Sequence, residues 1–289
     1  MEKQLRWERH KRVIAGAGLA SAAAAALLVL TGAGRASGTA GEPGVTVPLP
    51  PPAPAVTITE ARAPGRPIVL IDPGHGGQDP GATAISGDIT EKQLTLQFAR
   101  ELRDRLASDG RVKVALTRDD DRYLPLDQRA ALARRIGASL YVSIHMDSAP
   151  NPLARGATVY SLSEVASDAE SAQMAAKSNA TMAAARSDDG SVNAILSDLA
   201  LRSQMKASAD LAERLVRSAR GGVTLRPQPH QFADFEVLRE AGVPAVLFEA
   251  GYISNTDDEA LLRSPEQRAR IVAALARSIE ADIAARSPE

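Results

Sequence analysis

From Pro67 onward the chain repeats one pattern: a short β-branched apolar run, a polar turn, then apolar residues at helical spacing. That alternation constrains the fold more than any other feature, because strands separated by helices tend to pair in parallel and bury both faces of their sheet. The first run, Pro67–Asp72 (PIVLID), ends in the glycine-rich turn DPGHGG. A helix over Glu91–Ser108 follows, with Leu94, Phe98, Leu102 and Leu106 on one face and a capping box from Thr90 and Gln93. Strands are expected at Val112–Thr117, Ser139–His145 and Ala157–Leu162, and a helix at Leu126–Gly137. Ser139–His145 (SLYVSIH) is almost wholly apolar, as a strand covered on both faces would be. Residues 164–222 read as alanine-rich helix broken at Ser187–Gly190, and Val223–Arg226 and Phe235–Leu238 as short strands. Ala245–Phe248 (AVLF) is a strand that runs into Glu249, and a helix over Pro265–Ala284 closes the chain. The fold class is therefore α/β, with a mixed, largely parallel central sheet flanked by helices in a single domain.

Composition narrows the chemistry. None of the 289 residues is cysteine, which excludes disulfide frameworks, thiolate zinc sites, iron–sulfur clusters and cysteine nucleophiles. Any metal must be held by nitrogen and oxygen, and the histidines are His10, His75, His145 and His230. Aromatic residues make up 3% of the chain and the sole tryptophan, Trp7, lies near its start, which argues against sugar-stacking platforms. The formal net charge of −1 hides an asymmetry. Lys3, Arg6, Arg9, Lys11, Arg12 and Arg35 face only Glu2 and Glu8 within residues 1–38, so the remainder is acidic and disfavours nucleic acid as a partner.

The basic start precedes Val13–Leu30, an uncharged apolar run of 18 residues. Residues 1–38 thus read as a signal peptide, or as an N-terminal membrane anchor of the same residues, since that run is just long enough to span a bilayer. In both readings the bulk of the chain is exported, and membrane contact is confined to this segment. Residues 39–66 form a Pro-rich linker: eight of the chain's 18 prolines fall within 43–67, which favours extended polyproline conformations over a packed core. The folded domain is expected over 67–289.

In α/β sheets, ligands bind beyond the carboxyl ends of the strands. His75 follows the first strand, His145 ends the third, Glu249 ends the last and Glu91 opens the first helix, so these four side chains can gather on one rim. Two imidazoles and a carboxylate with an open fourth position suit a catalytic zinc, and a further carboxylate could move protons for it. Each residue has a structural reading as well. A histidine after a strand is commonly a hydrogen-bonded structural group, Glu91 suits a helix's first turn, and Glu249 could pair with an arginine. Spacing alone leaves the two readings even; the strongest physical hint of a site is that burying such groups unpartnered at the ends of apolar runs would cost roughly several kcal/mol each.

The segments IVLIDPGHGGQDPGA, TEKQLTL, YVSIHMDSAP and VPAVLFEAGYISN resemble the four signatures of the zinc-dependent N-acetylmuramoyl-L-alanine amidases of the amidase-3 type. They occur in the expected order across most of residues 67–265. The resemblance implies a catalytic domain over 67–289 in which His75, Glu91 and His145 hold one Zn2+ and Glu249 is the catalytic glutamate. It implies hydrolysis of the amide between the lactyl group of N-acetylmuramic acid and L-alanine of the peptidoglycan stem, a substrate that export would make reachable. Ligand types alone admit other divalent ions. A carboxypeptidase on stem peptides, a zinc-free wall-binding protein and a glycosidase are the competing readings. Glu249 and the complete His–Glu–His set argue against the binder, and the two histidines and the lack of tryptophan in the exported part against the glycosidase.

Around these four residues, Asp72 reads as turn chemistry before Pro-Gly, with orientation of His75 as its other role, and Asp79 reads similarly. His230 reads as a surface-loop residue, Asn255 as a cap for a turn or helix, and Ser254 as sharing that role. The stretch 164–200 is larger than a crossover needs. It resembles the helical insert of Gram-negative cell-division amidases, which covers the zinc until an activator protein displaces it. That likeness implies a periplasmic location and regulation by a partner. Met174 and Met182 suit packing over a cleft, and an ordinary packed helix pair is the equal alternative for this stretch. Where relatives commonly carry a glutamate before Asn-Ala, this chain has Lys177–Ser178–Asn179–Ala180, leaving Glu164 or Glu170 as the substitute blocking carboxylate.

Overall fold

The computed structural model describes residues 56–180 and 192–286. The apolar run Val13–Leu30, most of the linker, Met182 and the helix break at Ser187–Gly190 lie outside the described residues. Among the described residues, no helix is long and apolar enough to cross a membrane.

Seven strands form one sheet: β1 (Ile58–Thr59), β2 (Ile68–Pro73), β3 (Lys113–Leu116), β4 (Leu140–Asp147), β5 (Ala157–Leu162), β6 (Leu225–Ala233) and β7 (Ala245–Tyr252). Their spatial order is β1-β3-β2-β4-β7-β5-β6. β3, β2, β4 and β7 run parallel, β5 turns antiparallel to β7, and β6 pairs parallel with β5. The expected mixed, largely parallel sheet is thus the observed one. The sheet starts inside the stretch read as linker: β1 pairs antiparallel with β3, and Val56 and Ile58 pack on the core. The residues there, Val56–Thr59, are β-branched, and no proline interrupts them.

Helix α1 (Glu91–Asp109) forms where the heptad-like spacing placed it. Its capping box is present, with both Thr90 and Gln93 in their reciprocal roles, and Gly110 closes it in the left-handed conformation at φ 68°. Leu94, Phe98, Leu102 and Leu106 are all buried against the sheet. They meet Val69, Ile71, Val142 and Ile144, along with the long helices α4 (Val192–Ala219) and α7 (Pro265–Arg286). The opposite face carries Leu70, Tyr141, Tyr160 and Leu247 under α2 (Leu126–Arg135), α3 (Ala169–Asn179) and α5 (Glu236–Glu240). Period-two alternation along β2 therefore feeds two separate cores.

Three local expectations are corrected. Phe235–Leu238 is not a strand; its apolar residues belong to the short helix α5, whose Val237 and Leu238 are buried. The strand expected at Val223–Arg226 is instead β6, which continues through Pro227 and Pro229. Those prolines argue for a strand's end, but β6 is an edge strand and its register jumps between Ala157–Leu225 and Val159–His230, so neither proline interrupts a ladder. β7 runs on to Tyr252, so Glu249 lies within the strand rather than at its end. An additional helix, α6 (Thr256–Arg263), follows. Asn255 caps it, accepting from the Asp257 and Asp258 amides at 3.1 Å each, whereas Ser254 accepts from the Ala149 amide instead.

Candidate metal centre

The loop leaving β2 is shaped by what it must pass. A Cβ on Gly74 would lie 2.3 Å from His145 Cε1, so glycine alone lets the backbone run beside that ring. The next residue, His75, is the one described non-glycine with positive φ, at 60°. Left-handed backbone at such a residue costs on the order of 1–2 kcal/mol. It persists because its surroundings fix it. Arg129 Nη2 donates to the His75 carbonyl at 2.6 Å, and Arg118 Nη2 to that of Gly74 at 2.7 Å. Both guanidiniums also donate to the Pro73 carbonyl.

Asp72 anchors this clamp from below. It is buried, and accepts from Thr117 Oγ1 at 2.5 Å, Tyr141 Oη at 2.7 Å, Ser143 Oγ at 3.0 Å and Arg129 Nη1 at 2.9 Å. Burial would raise its pKa, but Arg129 and the hydroxyl donors outweigh this and hold the carboxyl at about 2. The turn reading of Asp72 is therefore overturned, and it does not orient His75 directly. That part belongs to Asp79, whose Oδ2 accepts from His75 Nδ1 at 2.8 Å. The bond leaves Nε2 as the ring's free lone pair.

Glu91, the first residue of α1, turns inward and is 5% exposed. Its Oε1 lies 3.0 Å from His75 Nε2 and 2.9 Å from His145 Nδ1, and accepts from the Met146 amide at 3.1 Å. Its Oε2 accepts from the Ala82 amide at 2.9 Å. The bonds and charges of His145 and His75 overcome burial and hold the Glu91 pKa below the carboxylate range. Glu91 and Asp79 in turn raise that of His75 against the opposing effect of burial. Gly81, at φ 65°, covers the group from outside, and a Cβ there would stand 2.6 Å from Glu91 Oε2.

His75, Glu91 and His145 thus present ligand atoms within 4.8 Å of one another. Zinc bonds of roughly 2.0–2.1 Å in tetrahedral geometry place donors about 3.3 Å apart, near the 3.0 and 2.9 Å from Glu91 Oε1 to the two imidazole nitrogens. Two imidazole nitrogens and one carboxylate oxygen fit zinc with a fourth position left open.

Glu249 stands beside this group in register: opposite His145 on β4 and opposite Thr158 on β5. It is 5% exposed, and neither its Oε2 nor Thr158 Oγ1 has a hydrogen-bond partner. Burial first, then the charges of Asp147 and Glu91, push its pKa well above the carboxylate range. A buried carboxyl with a raised pKa and an unused oxygen can take up and release a proton. All four residues expected on one rim therefore meet there.

The surroundings hold residues that sequence reading missed. Asp147, two positions past His145, is kept at about 6 by burial, and Tyr252 hydrogen-bonds beside it. A charged residue continuing an apolar strand was the signal available for it. Glu170, one of the two substitutes for a blocking carboxylate, is not in the metal group; it pairs with Arg226 and accepts from Tyr252 Oη at 3.1 Å. Glu164 is exposed. His230 lies on β6 rather than in a loop, sharing a 2.8 Å hydrogen bond with Ser161 on the sheet face opposite Tyr160.

Comparison with known proteins points to one family. The family model described as N-acetylmuramoyl-L-alanine amidase matches residues 69–281. The chain is 33% identical to AmiA of Escherichia coli, named N-acetylmuramoyl-L-alanine amidase, with 74% of this chain and 75% of that protein aligned. It is 33% identical to the probable amidase AmiB of Haemophilus influenzae across 70% of this chain, but spans only about half of that relative, 49%. Among solved structures, the amidase AmiC2 of Nostoc punctiforme superposes with a TM-score of 0.55 at 27% identity, covering 74% of this chain and 96% of that one.

Proposed function

Because the chain belongs to the N-acetylmuramoyl-L-alanine amidase family, we propose that it hydrolyses the amide joining the lactyl group of N-acetylmuramic acid to L-alanine of the peptidoglycan stem. The observation that carries this reading is the buried, unpartnered Glu249 carboxyl set in register with the His75–Glu91–His145 group. Zinc bound by those three residues supplies a Lewis acid that acidifies water and polarises a carbonyl. Glu249 takes a proton as water oxygen bonds to the lactyl carbonyl carbon, and returns it to the alanine nitrogen as the carbon–nitrogen bond breaks. Asp79 keeps the His75 tautomer that leaves Nε2 available, and the Arg118–Arg129 clamp keeps the loop in its left-handed turn.

The basic, apolar N-terminal segment supports export to the periplasm, as a cleaved signal peptide or a retained anchor, where the amidase would serve wall remodelling during daughter-cell separation. Residues 164–200 act as a regulatory insert relieved by an activator protein; Glu170 at the start of α3 ties it to Tyr252, three residues past Glu249. The test is digestion of purified peptidoglycan with and without chelator, read by mass spectrometry. Stem peptides with a free N-terminal L-alanine, lost on chelation and restored by zinc, are the expected products. Trimmed stems still attached to the glycan would instead establish a carboxypeptidase.

A further inference from the structure

We propose that Arg226 is the receptor for a free carboxylate on the substrate's peptide, and that Glu170 of the insert helix occupies it as an internal stand-in. This deepens the amidase reading and rests on it. The receptor is built by the sheet and only its present occupant comes from the insert. Arg226 Nη1 and Nη2 face the two Glu170 oxygens at 3.3 and 3.1 Å, and Tyr252 Oη adds a third donor at 3.1 Å. The guanidinium lies over the Tyr252 ring, 5.5 Å from its centroid, which orients the fork toward a carboxylate. Tyr252 is fully buried on β7, so this wall is rigid.

Position and charge both suit a peptide. Leu225 pairs with Ala157, and the next residue on β5, Thr158, pairs with Glu249. The ladder shifts just after Leu225, and what fixes Arg226 is Tyr252, on which its guanidinium lies; Tyr252 is three residues past Glu249 on β7, about 10 Å along the strand. At ~3.5 Å per residue, a carboxylate on the second residue of the stem lies about 7 Å from the scissile nitrogen, and the arginine side chain covers the remainder. Peptidoglycan stems carry a free or amidated carboxylate at that residue. The Arg226 guanidinium supplies the opposite charge and the paired N–H donors that such a carboxylate needs.

Exchange of the occupant is cheap. The Glu170 side chain is 44% exposed, and ion pairs open to water are weak. Helix α3 is also held without it: Asp168 caps the Ser171 amide, and Asn179 bonds the Asp234 carbonyl and Glu236 amide. Glu170→Gln should thus leave the helix in place.

The test measures calorimetric binding of two tripeptides to the zinc-loaded protein. Both begin with L-alanine and differ only in a free carboxylate or a carboxamide on the second residue. Charge-assisted bonds of this kind correspond to a roughly 10- to 100-fold preference for the carboxylate. Glu170→Gln should tighten carboxylate binding with little change for the carboxamide. Arg226→Gln should abolish the preference and Arg226→Lys keep part of it, with melting temperatures confirming that each variant folds. Equal affinities in Glu170→Gln, no binding in that variant, or a preference that survives Arg226→Gln would overturn the assignment. Release of stem peptides from peptidoglycan tests the amidase reading separately: no release by wild type, by Glu170→Gln or by a folded variant lacking residues 166–190 sinks that reading, whatever the tripeptide affinities.

Discussion

Replacing Asp72 by asparagine keeps the shape of the group beneath the metal centre and removes its charge. In the native protein the carboxylate and the Arg129 guanidinium are 1% and 2% exposed and 2.9 Å apart. Neutralising one member of a buried pair leaves the other uncompensated, a loss of about 3–5 kcal/mol. A second route bounds it. The carboxyl falls from 3.8 to about 2 on folding, and at ~1.4 kcal/mol per unit this amounts to roughly 2–3 kcal/mol. The larger figure applies to the variant, because asparagine also turns an amide N–H toward hydroxyls and a guanidinium that already donate. The sign follows from the depressed pKa: the contribution is present above pH 4 and lost as pH falls toward 2. Urea denaturation of metal-free protein between pH 7 and pH 3 measures both effects. The expected result is a loss of several kcal/mol at neutral pH and a flatter acid limb in the variant. Loss of less than ~1 kcal/mol at pH 7 with the acid limb unchanged would refute the argument that the Asp72–Arg129 pair supports the loop.

Glu249→Gln should bind zinc as wild type does, by metal analysis after dialysis, while losing nearly all release of stem peptides; an active variant would remove Glu249 from the proton-transfer step. Asp79→Asn should weaken zinc affinity roughly 10- to 100-fold with little change in melting temperature, because it frees the His75 ring without touching the core. Gly81→Ala combines a left-handed backbone with a Cβ 2.6 Å from Glu91 Oε2, so it should cost about 1–2 kcal/mol and lower metal affinity; unaltered zinc binding would show that the loop relaxes. Deleting residues 166–190 should raise turnover of purified cell wall, and a folded deletion variant with equal or lower turnover counts against regulation by the insert.

The parts of the molecule set by local periodicity were readable from the chain alone. Helix α1, its capping box and the strands carrying His145 and Glu249 all follow from apolar spacing and β-branching, and the four functional side chains follow from where those runs end. What escaped reading depends on neighbours distant in sequence. β6 survives its two prolines only because it lies at the sheet edge, a fact set by pairing order. Asp72 looks like a turn former because its partners, Thr117, Arg129, Tyr141 and Ser143, come from three other elements and loops. Asp79 and Asp72 stand in similar local sequence, and only the tertiary path of the loop decides which one meets His75.

The two arginines that hold the loop after β2 grip carbonyl oxygens rather than side chains. Every residue type offers the same carbonyl, so this grip is indifferent to which side chains the loop displays. Beyond Asp79 and the glycines demanded by close approach, the loop's outward residues are free to vary without displacing the imidazole. Transplanting the His75 loop onto another sheet would therefore fail if only its own residues were copied, because its conformation is stored in Arg118 and Arg129, more than forty positions downstream.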